Sequence, residues 1–314
     1  MGWSPGRSCY SGRGIVSDGF SCTRLRRSPD RIRARGAPRS IRRTRALKAK
    51  ESNCINLVSF RNIHYLLFPR LDCPMGTIPL IPQPDQLYVI GDIHGRADLL
   101  ERLIDQLHRD LEKNPVDNCL TVTVGDYIDR GMNSREVLDQ LADNPFPTAF
   151  IPLKGNHEDL FETFLRDPSI GSRWRRFGGL ETLHSYGVDV GPLMRRKNYE
   201  AAAEALRMAV PGAHFDFLAS LHTALSVGRY FLCHAGVCPG IPLAQQREEH
   251  LLGIRQPFLN SNADFGQIVV HGHTPVEAPE IHRNRINIDT GAFMTGRLTC
   301  VVLEEESVRF LTTI

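Results

Sequence analysis

The stretch Leu120-Thr121-Val122-Thr123-Val124-Gly125-Asp126-Tyr127-Ile128-Asp129-Arg130-Gly131 is an apolar, β-branched run that stops at a glycine and then delivers two carboxylates and a guanidinium. Such a run reads as a buried strand, and the polar residues after Gly125 as a loop at its carboxyl end. Four more segments repeat the arrangement. Leu87-Tyr88-Val89-Ile90 precedes Gly91-Asp92-Ile93-His94-Gly95, and Phe150-Ile151-Pro152-Leu153 precedes Lys154-Gly155-Asn156-His157-Glu158. Tyr230-Phe231-Leu232-Cys233 precedes His234-Ala235-Gly236, and Ile268-Val269-Val270 precedes His271-Gly272-His273. Loops beyond the carboxyl ends of strands in an open α/β sheet are where ligands collect, and glycine lets the backbone turn sharply there. Five such loops are expected to converge on one spot.

The side chains in those loops define a chemistry. Asp92, His94, Asp126, Asn156, His234 and His273 offer carboxylate, imidazole and amide donors. This set suits Mn, Fe or Zn and lacks the thiolates of structural zinc sites, so a catalytic centre is expected. A carboxylate has two oxygens and can bridge two cations roughly 3.5–4 Å apart, where a water between them becomes a nucleophile near neutral pH. Asp126 is the candidate bridge.

Taken together, the five segments resemble the phosphoprotein phosphatase branch of the calcineurin-like metallophosphoesterases, over roughly Leu87 to Leu303. Leu153-Lys154-Gly155-Asn156-His157-Glu158 fits that branch's serine/threonine phosphatase signature, and Gly125 to Gly131 fits its second block. The resemblance implies an α/β fold, a β-sandwich of two mixed sheets flanked by helices. It implies two divalent metal ions, Mn²⁺ first with Fe or Zn as alternatives. Asp92, His94 and Asp126 would hold the first; Asp126, Asn156, His234 and His273 the second. His157 would be the general acid, oriented by Asp129. Gly253-Ile254-Arg255-Gln256-Pro257 resembles the segment that carries a phosphate-binding arginine, although bacterial relatives commonly place an aromatic residue where this chain has Gly253.

Chemistry supports the same roles. Phosphate monoester hydrolysis expels an alkoxide, and a positioned imidazolium that protonates it accelerates reaction about 10²–10⁴-fold. A partner carboxylate keeps the imidazole charged. Guanidinium forks fit two phosphoryl oxygens at once, which makes Arg130 the first candidate; Arg255 is the second, as the resemblance of its segment implies. The expected reaction is attack of a metal-bridging hydroxide on phosphoserine or phosphothreonine in proteins. A dinucleoside polyphosphate such as diadenosine tetraphosphate is the alternative substrate, and a catalytically idle binding module the alternative of another class.

Around these loops the pattern alternates. Leu99, Leu100, Leu103, Ile104, Leu107 and Leu111 fall at helical spacing. Asn133 with Glu136 reads as a capping box opening a second helix, and a third is expected from Glu158 with Leu160, Phe161, Phe164 and Leu165 inward. Residues 199 to 222 read as a helical pair. From Thr223 strands dominate: a hairpin through Gly228-Arg229, then 286–288, 297–303 and 307–312. Substrate choice is assigned to loops at 166–200 and 238–266. Arg173, Arg175, Arg176, Arg195, Arg196 and Lys197 read first as a solvated face and second as holders of extra phosphates.

The chain of 314 residues has 41% hydrophobic content, enough for a substantial core. Charge is uneven: residues 1–74 hold 16 Lys and Arg against four Asp and Glu, residues 75–314 hold 22 against 31. The division expected is therefore a basic, disordered extension at 1–74 and a catalytic domain at 75–314. The extension reads foremost as an upstream segment with no role, since Met75-Gly76-Thr77 precedes the first strand as a natural start would. A transit peptide or a charge-driven tail are its other readings. No apolar stretch approaches the ~20 residues of a membrane span, and the expected setting is a bacterial cytoplasm. A phosphoprotein or phosphorylated small molecule is the expected partner, with no part for membrane or nucleic acid. Cys119, Cys233, Cys238 and Cys300 show no zinc or disulfide spacing; Cys233 and Cys238 read as packing residues. His184, His214, His222 and His250 read as surface or core-edge histidines, and Asp289 as either a turn cap or a partner of the site.

Overall fold

Every residue of Gln86–Ile90 is buried, and its two faces serve different cores: Leu87 and Val89 enter one apolar cluster, Tyr88 and Ile90 another. Side chains of a strand alternate faces, so a strand without a polar face must have both sides covered. The computed structural model describes residues 78–191, 197–305 and 307–314. Its strands are β1 (Leu80–Ile81), β2 (Gln86–Ile90), β3 (Cys119–Thr123), β4 (Ala149–Pro152), β5 (Ala224–Val227), β6 (Tyr230–Cys233), β7 (Ile268–His271), β8 (Glu280–Ile281), β9 (Arg285–Asn287), β10 (Thr299–Leu303) and β11 (Val308–Thr312).

They form two mixed sheets, ordered β11-β10-β2-β3-β4 and β1-β5-β6-β7-β9-β8. In the first, β2, β3 and β4 are parallel and β10 runs antiparallel to β2 and β11. In the second, β6, β7 and β9 are parallel, while β5 and β6 make the antiparallel hairpin. Leu87, Val89, Val122, Ile151 and Val301 of the first sheet share one buried cluster with Leu225, Leu232, Val270 and Ile286 of the second. The molecule is thus the expected sandwich, its inner layer built from alternate residues of both sheets.

Helices cover the outer faces. They are α1 (Ala97–Lys113), α2 (Ser134–Ala142), α3 (Asn156–Arg166), α4 (Gly171–Arg176), α5 (Gly179–Ser185), α6 (Tyr199–Ala209), α7 (Gly212–Ala219), α8 (Glu248–Gly253) and α9 (Ala292–Thr295). Leu99, Leu100, Leu103 and Leu107 of α1 pack with Val137, Leu138, Phe161, Phe164, Trp174 and Leu206 over Tyr88 and Ile90. On the other sheet, Leu251 of α8 and Phe258 cover Phe231, Cys233 and Val269. No helix among the described residues is long and apolar enough to cross a membrane.

Three local expectations are corrected. Asn133 stands at the amino-terminal cap of α2, but its side chain makes no cap hydrogen bond. Its backbone N–H is drawn to the Gly95 carbonyl at 3.0 Å, and φ −117°, ψ 40° is not the extended geometry that capping uses. Second, α3 begins at Asn156, not Glu158, because Glu158 reaches back to the Gly155 N–H and winds the first turn earlier. Third, the stretch 166–200 is largely helical where described; Trp174, Leu183 and Tyr199 supply buried contacts that its polar composition obscured. The boundary at 74/75 and the readings of residues 1–74 lie outside the described residues.

Leu232 lies fully buried between the sheets. Leu232→Ala is expected to cost roughly 2–5 kcal/mol through the lost methyl groups and the residual cavity, measured as a drop in the urea midpoint.

Candidate metal centre

The strand ends deliver the six candidate donors to one place. Asp92 and His94 lie between β2 and α1, Asp126 after β3, Asn156 at the start of α3, His234 after β6 and His273 after β7. The Asp126 carboxylate is at the middle: Oδ1 is 3.3 Å from His234 Nε2, and Oδ2 is 3.4 Å from His94 Nε2. His234 Nε2 also lies 3.0 Å from Asn156 Oδ1 and 3.2 Å from His273 Nδ1. Asp92 accepts the His273 backbone N–H at 3.1 Å. Two groups have donor atoms mutually within 4.8 Å: His94, Asp126 and His157, and Asp126, His234 and His273. Asp126 belongs to both; Asp92 falls outside each, and His157 takes part in the first.

Backbone geometry aims these groups. His94, Asp126, Asp129, Arg130 and His273 all have positive φ, between 48° and 69°. Non-glycine residues avoid this region, and each costs of order 1–3 kcal/mol unless its surroundings impose it. Gly155 shows how tight they are: a Cβ there would sit 2.2 Å from Asp126 Oδ1 and 2.3 Å from the Asp126 nitrogen. Only glycine lets the start of α3 approach the carboxylate so closely.

Hydrogen bonding sets the histidine tautomers. His94 Nδ1 is 2.9 Å from the Ile128 carbonyl, and His234 Nδ1 is 2.9 Å from the Val124 carbonyl. A carbonyl only accepts, so each Nδ1 carries the proton and each Nε2 turns a lone pair to Asp126. Burial pushes both imidazoles below their ordinary range, and His273 down to about 3. A neutral nitrogen lone pair opposite a carboxylate oxygen repels it unless a cation stands between. His94 Nε2 is buried and without a hydrogen-bond partner. Carboxylates crowd the same spot: burial, then the charges of Asp289 and Asp126, push Asp92 well up, and burial with Asp126 lifts Asp289 to about 6. Nitrogen and oxygen donors with this unrelieved repulsion fit divalent cations. Asp289 resolves as both alternatives: it accepts the Gly291 N–H at 2.9 Å, and its charge helps push Asp92 up.

Beside the donors stands a polar relay. His157 Nδ1 donates to Asp129 Oδ2 at 2.7 Å, with both side chains fully buried. Asp129 also accepts from Trp174 Nε1 at 2.9 Å and from Thr182 Oγ1 at 2.6 Å. Burial alone would push the His157 imidazole down, but the charge of Asp126 and then the bond to Asp129 outweigh it and raise it above its ordinary range. Arg130 Nη2 is 3.3 Å from His157 Nε2, and its guanidinium lies 4.8 Å from the Phe293 ring. Arg255, despite Gly253, reaches His273: Nε is 3.3 Å from its Nε2, and Nη2 3.3 Å from its carbonyl. The two arginines therefore flank the centre.

Three residues of this architecture escaped the sequence reading. Glu158 accepts the backbone N–H groups of Asp126 (2.9 Å), Tyr127 (2.8 Å) and Gly155 (2.9 Å), tying the β3 loop to the start of α3. Its place three residues beyond Gly155 is the sequence sign that reveals it. Trp174 and Thr182 come from α4 and α5, and nothing in their spacing announces Asp129. Other residues prove structural. His271 packs on Phe258, His214 is buried against Tyr186 and reaches the half-exposed Asp139 at the edge of the core, and His184 is exposed. Burial pushes the Cys233 thiol up to about 12, and no cysteine joins either donor group among the described residues.

Known proteins resemble this chain over the same span. The calcineurin-like phosphoesterase family matches residues 86–301. Serine/threonine-protein phosphatase 2 of Salmonella typhimurium is 30% identical over 228 residues, covering 68% of this chain and 90% of that relative. The asymmetrical bis(5'-nucleosyl)-tetraphosphatase PrpE of Halalkalibacterium halodurans is 26% identical over 237 residues, covering 70% and 91%. A crystal structure provisionally assigned as a diadenosine tetraphosphatase aligns with TM-score 0.51 at 17% identity, over 75% of this chain and 98% of that one, which shows the common fold.

Glu158→Ala leaves three buried N–H groups without an acceptor, at about 1–3 kcal/mol each. The expected result is at least about 3 kcal/mol lost in urea unfolding, together with weaker divalent-cation binding by calorimetry as the Asp126 loop loosens.

Proposed function

Because the chain belongs to the calcineurin-like phosphoesterase family, we propose that it hydrolyses phosphoserine and phosphothreonine in proteins, with two divalent cations held by Asp92, His94, Asp126, Asn156, His234 and His273. The observation that carries the reading is the Asp126 carboxylate, whose two oxygens face separate histidine sets at 3.3 and 3.4 Å. Cations there, Mn²⁺ foremost, would supply Lewis acidity and a nucleophilic water near neutral pH.

The chain's own residues do the rest. Arg130 and Arg255, on opposite flanks, bind phosphoryl oxygens and neutralise the charge spread over them. His157, protonated at Nε2, donates that proton to the departing serine or threonine oxygen. Asp129 holds Nδ1–H and so keeps the ring turned and charged. Trp174 donates to Oδ2 and Thr182 to Oδ1 of Asp129, fixing it in place. Arg130 Nη2 lies 3.3 Å from His157 Nε2, so one phosphoryl oxygen can accept from both.

A second reading, hydrolysis of dinucleoside polyphosphates, is favoured by the likeness to the Halalkalibacterium halodurans tetraphosphatase at 26% identity. The phosphoprotein reading is preferred on the 30% identity to the Salmonella typhimurium phosphatase. The bacterial relatives support a cytoplasmic setting, and the reading gives no part to membrane or nucleic acid.

Turnover of p-nitrophenyl phosphate should require added Mn²⁺ and stop with chelator; failure with every divalent cation would leave a binding module. Comparing phosphopeptides with diadenosine tetraphosphate decides the substrate, since a preference of orders of magnitude in kcat/KM for the nucleotide overturns the first choice. His157→Asn is expected to lower kcat about 10²–10⁴-fold at unchanged metal content. The protonated imidazole is the active form, so activity is lost as pH rises through its pKa; Asp129→Asn removes a cause that raises it and should move that alkaline limb to lower pH.

A further inference from the structure

Helix α4 ends against the proton donor. Phe177, at its carboxyl terminus, is 39% exposed, and its ring centroid lies 6.0 Å from that of His157. Arg173 and Arg176 precede it by four residues and one, so all three share one face of the helical turn. Trp174 points the other way, fully buried, and its bond to Asp129 fixes the helix to the relay. Immediately beyond, the Gly178 carbonyl accepts the Arg130 backbone N–H at 3.3 Å. Arg175 is set apart: half-buried, it lines a small apolar crevice with Phe164, Leu183 and Tyr199.

Both Arg173 and Arg176 are exposed. The Arg and Lys ion pairs of the described residues all involve other side chains. Two guanidinium groups with no carboxylate partner among the described residues are thus held on a helix whose next residue, Phe177, stands beside His157. We propose that Arg173 and Arg176, with Phe177, form a subsite for a second anionic group carried by the leaving group of the substrate. The proposal rests on the preceding reading, which puts the leaving oxygen at His157. Its ligand chemistry is a phosphate or carboxylate displaced from the scissile phosphate, from an acidic peptide flank or from the further phosphates of a nucleotide.

The test is the Arg173→Glu/Arg176→Glu protein, loaded with Mn²⁺ like the wild type. Kinetics are compared on p-nitrophenyl phosphate, a singly phosphorylated peptide with neutral flanks, a doubly phosphorylated peptide and diadenosine tetraphosphate. Wild type should favour at least one of the two anion-rich substrates over the neutral peptide. The double variant should lose about tenfold in kcat/KM on that substrate, through KM and less so at high salt, with p-nitrophenyl phosphate and the neutral peptide within twofold of wild type. Loss on the peptide alone identifies an acidic flank as the occupant, and loss on the nucleotide alone identifies a polyphosphate. A uniform loss on all substrates, no loss, or a wild type indifferent to the extra anion overturns the subsite. Absence of any turnover by wild type refutes the underlying hydrolase reading instead.

Discussion

A buried carboxylate faced on both sides by neutral imidazole lone pairs is the constraint that organises this molecule. Asp126 meets His94 and His234 across 3.3–3.4 Å, and neither histidine can answer with a proton, because the Ile128 and Val124 carbonyls hold the proton of each ring on the far nitrogen. Burial opposes charging the rings instead. Like electron density is thereby concentrated in a buried, fixed place, an arrangement that favours bound cations. A carboxylate pair beside it, Asp92 with Asp289, adds to the same demand.

Such an arrangement persists only because the surrounding backbone is over-determined. Five residues of the site hold positive φ, and they are kept there by the parallel strands behind them and by Glu158, which gathers the N–H groups of two loops on one carboxylate. Close approach of Gly155 to Asp126 completes the lock. Rigidity of this kind pre-orients the donors, so that little reorganisation is needed when charge develops during reaction.

The His157–Asp129 pair is anchored to a different part of the fold. Asp129 takes hydrogen bonds from His157, from Trp174 of α4 and from Thr182 of α5. The helical segment that follows α3 is therefore tied to the reacting centre by its buried face, while its exposed face carries Arg173, Arg176 and Phe177. One short helix joins the orientation of the His157–Asp129 pair to an exposed basic and aromatic surface.

Sequence alone determined the parts of this protein that depend on local order. Short apolar runs ending in Gly or His became strands with loops at their carboxyl ends, because period and composition are properties of adjacent residues; all six donors were named from those loops. Helical spacing identified α1 and the pair α6 and α7 on the same ground. What needed the tertiary structure were relations between distant segments. Asn133 lost its capping role to Gly95, 38 positions earlier. Asp289 found Asp92, and Trp174 and Thr182 found Asp129, through packing of elements that no local pattern relates. His271 and His273, two residues apart, parted to an apolar core and the donor cluster, since successive side chains at the end of β7 are directed by the sheet and then by a left-handed turn. Residue type sets what chemistry a side chain can perform; only the packed chain sets which other groups it performs it with.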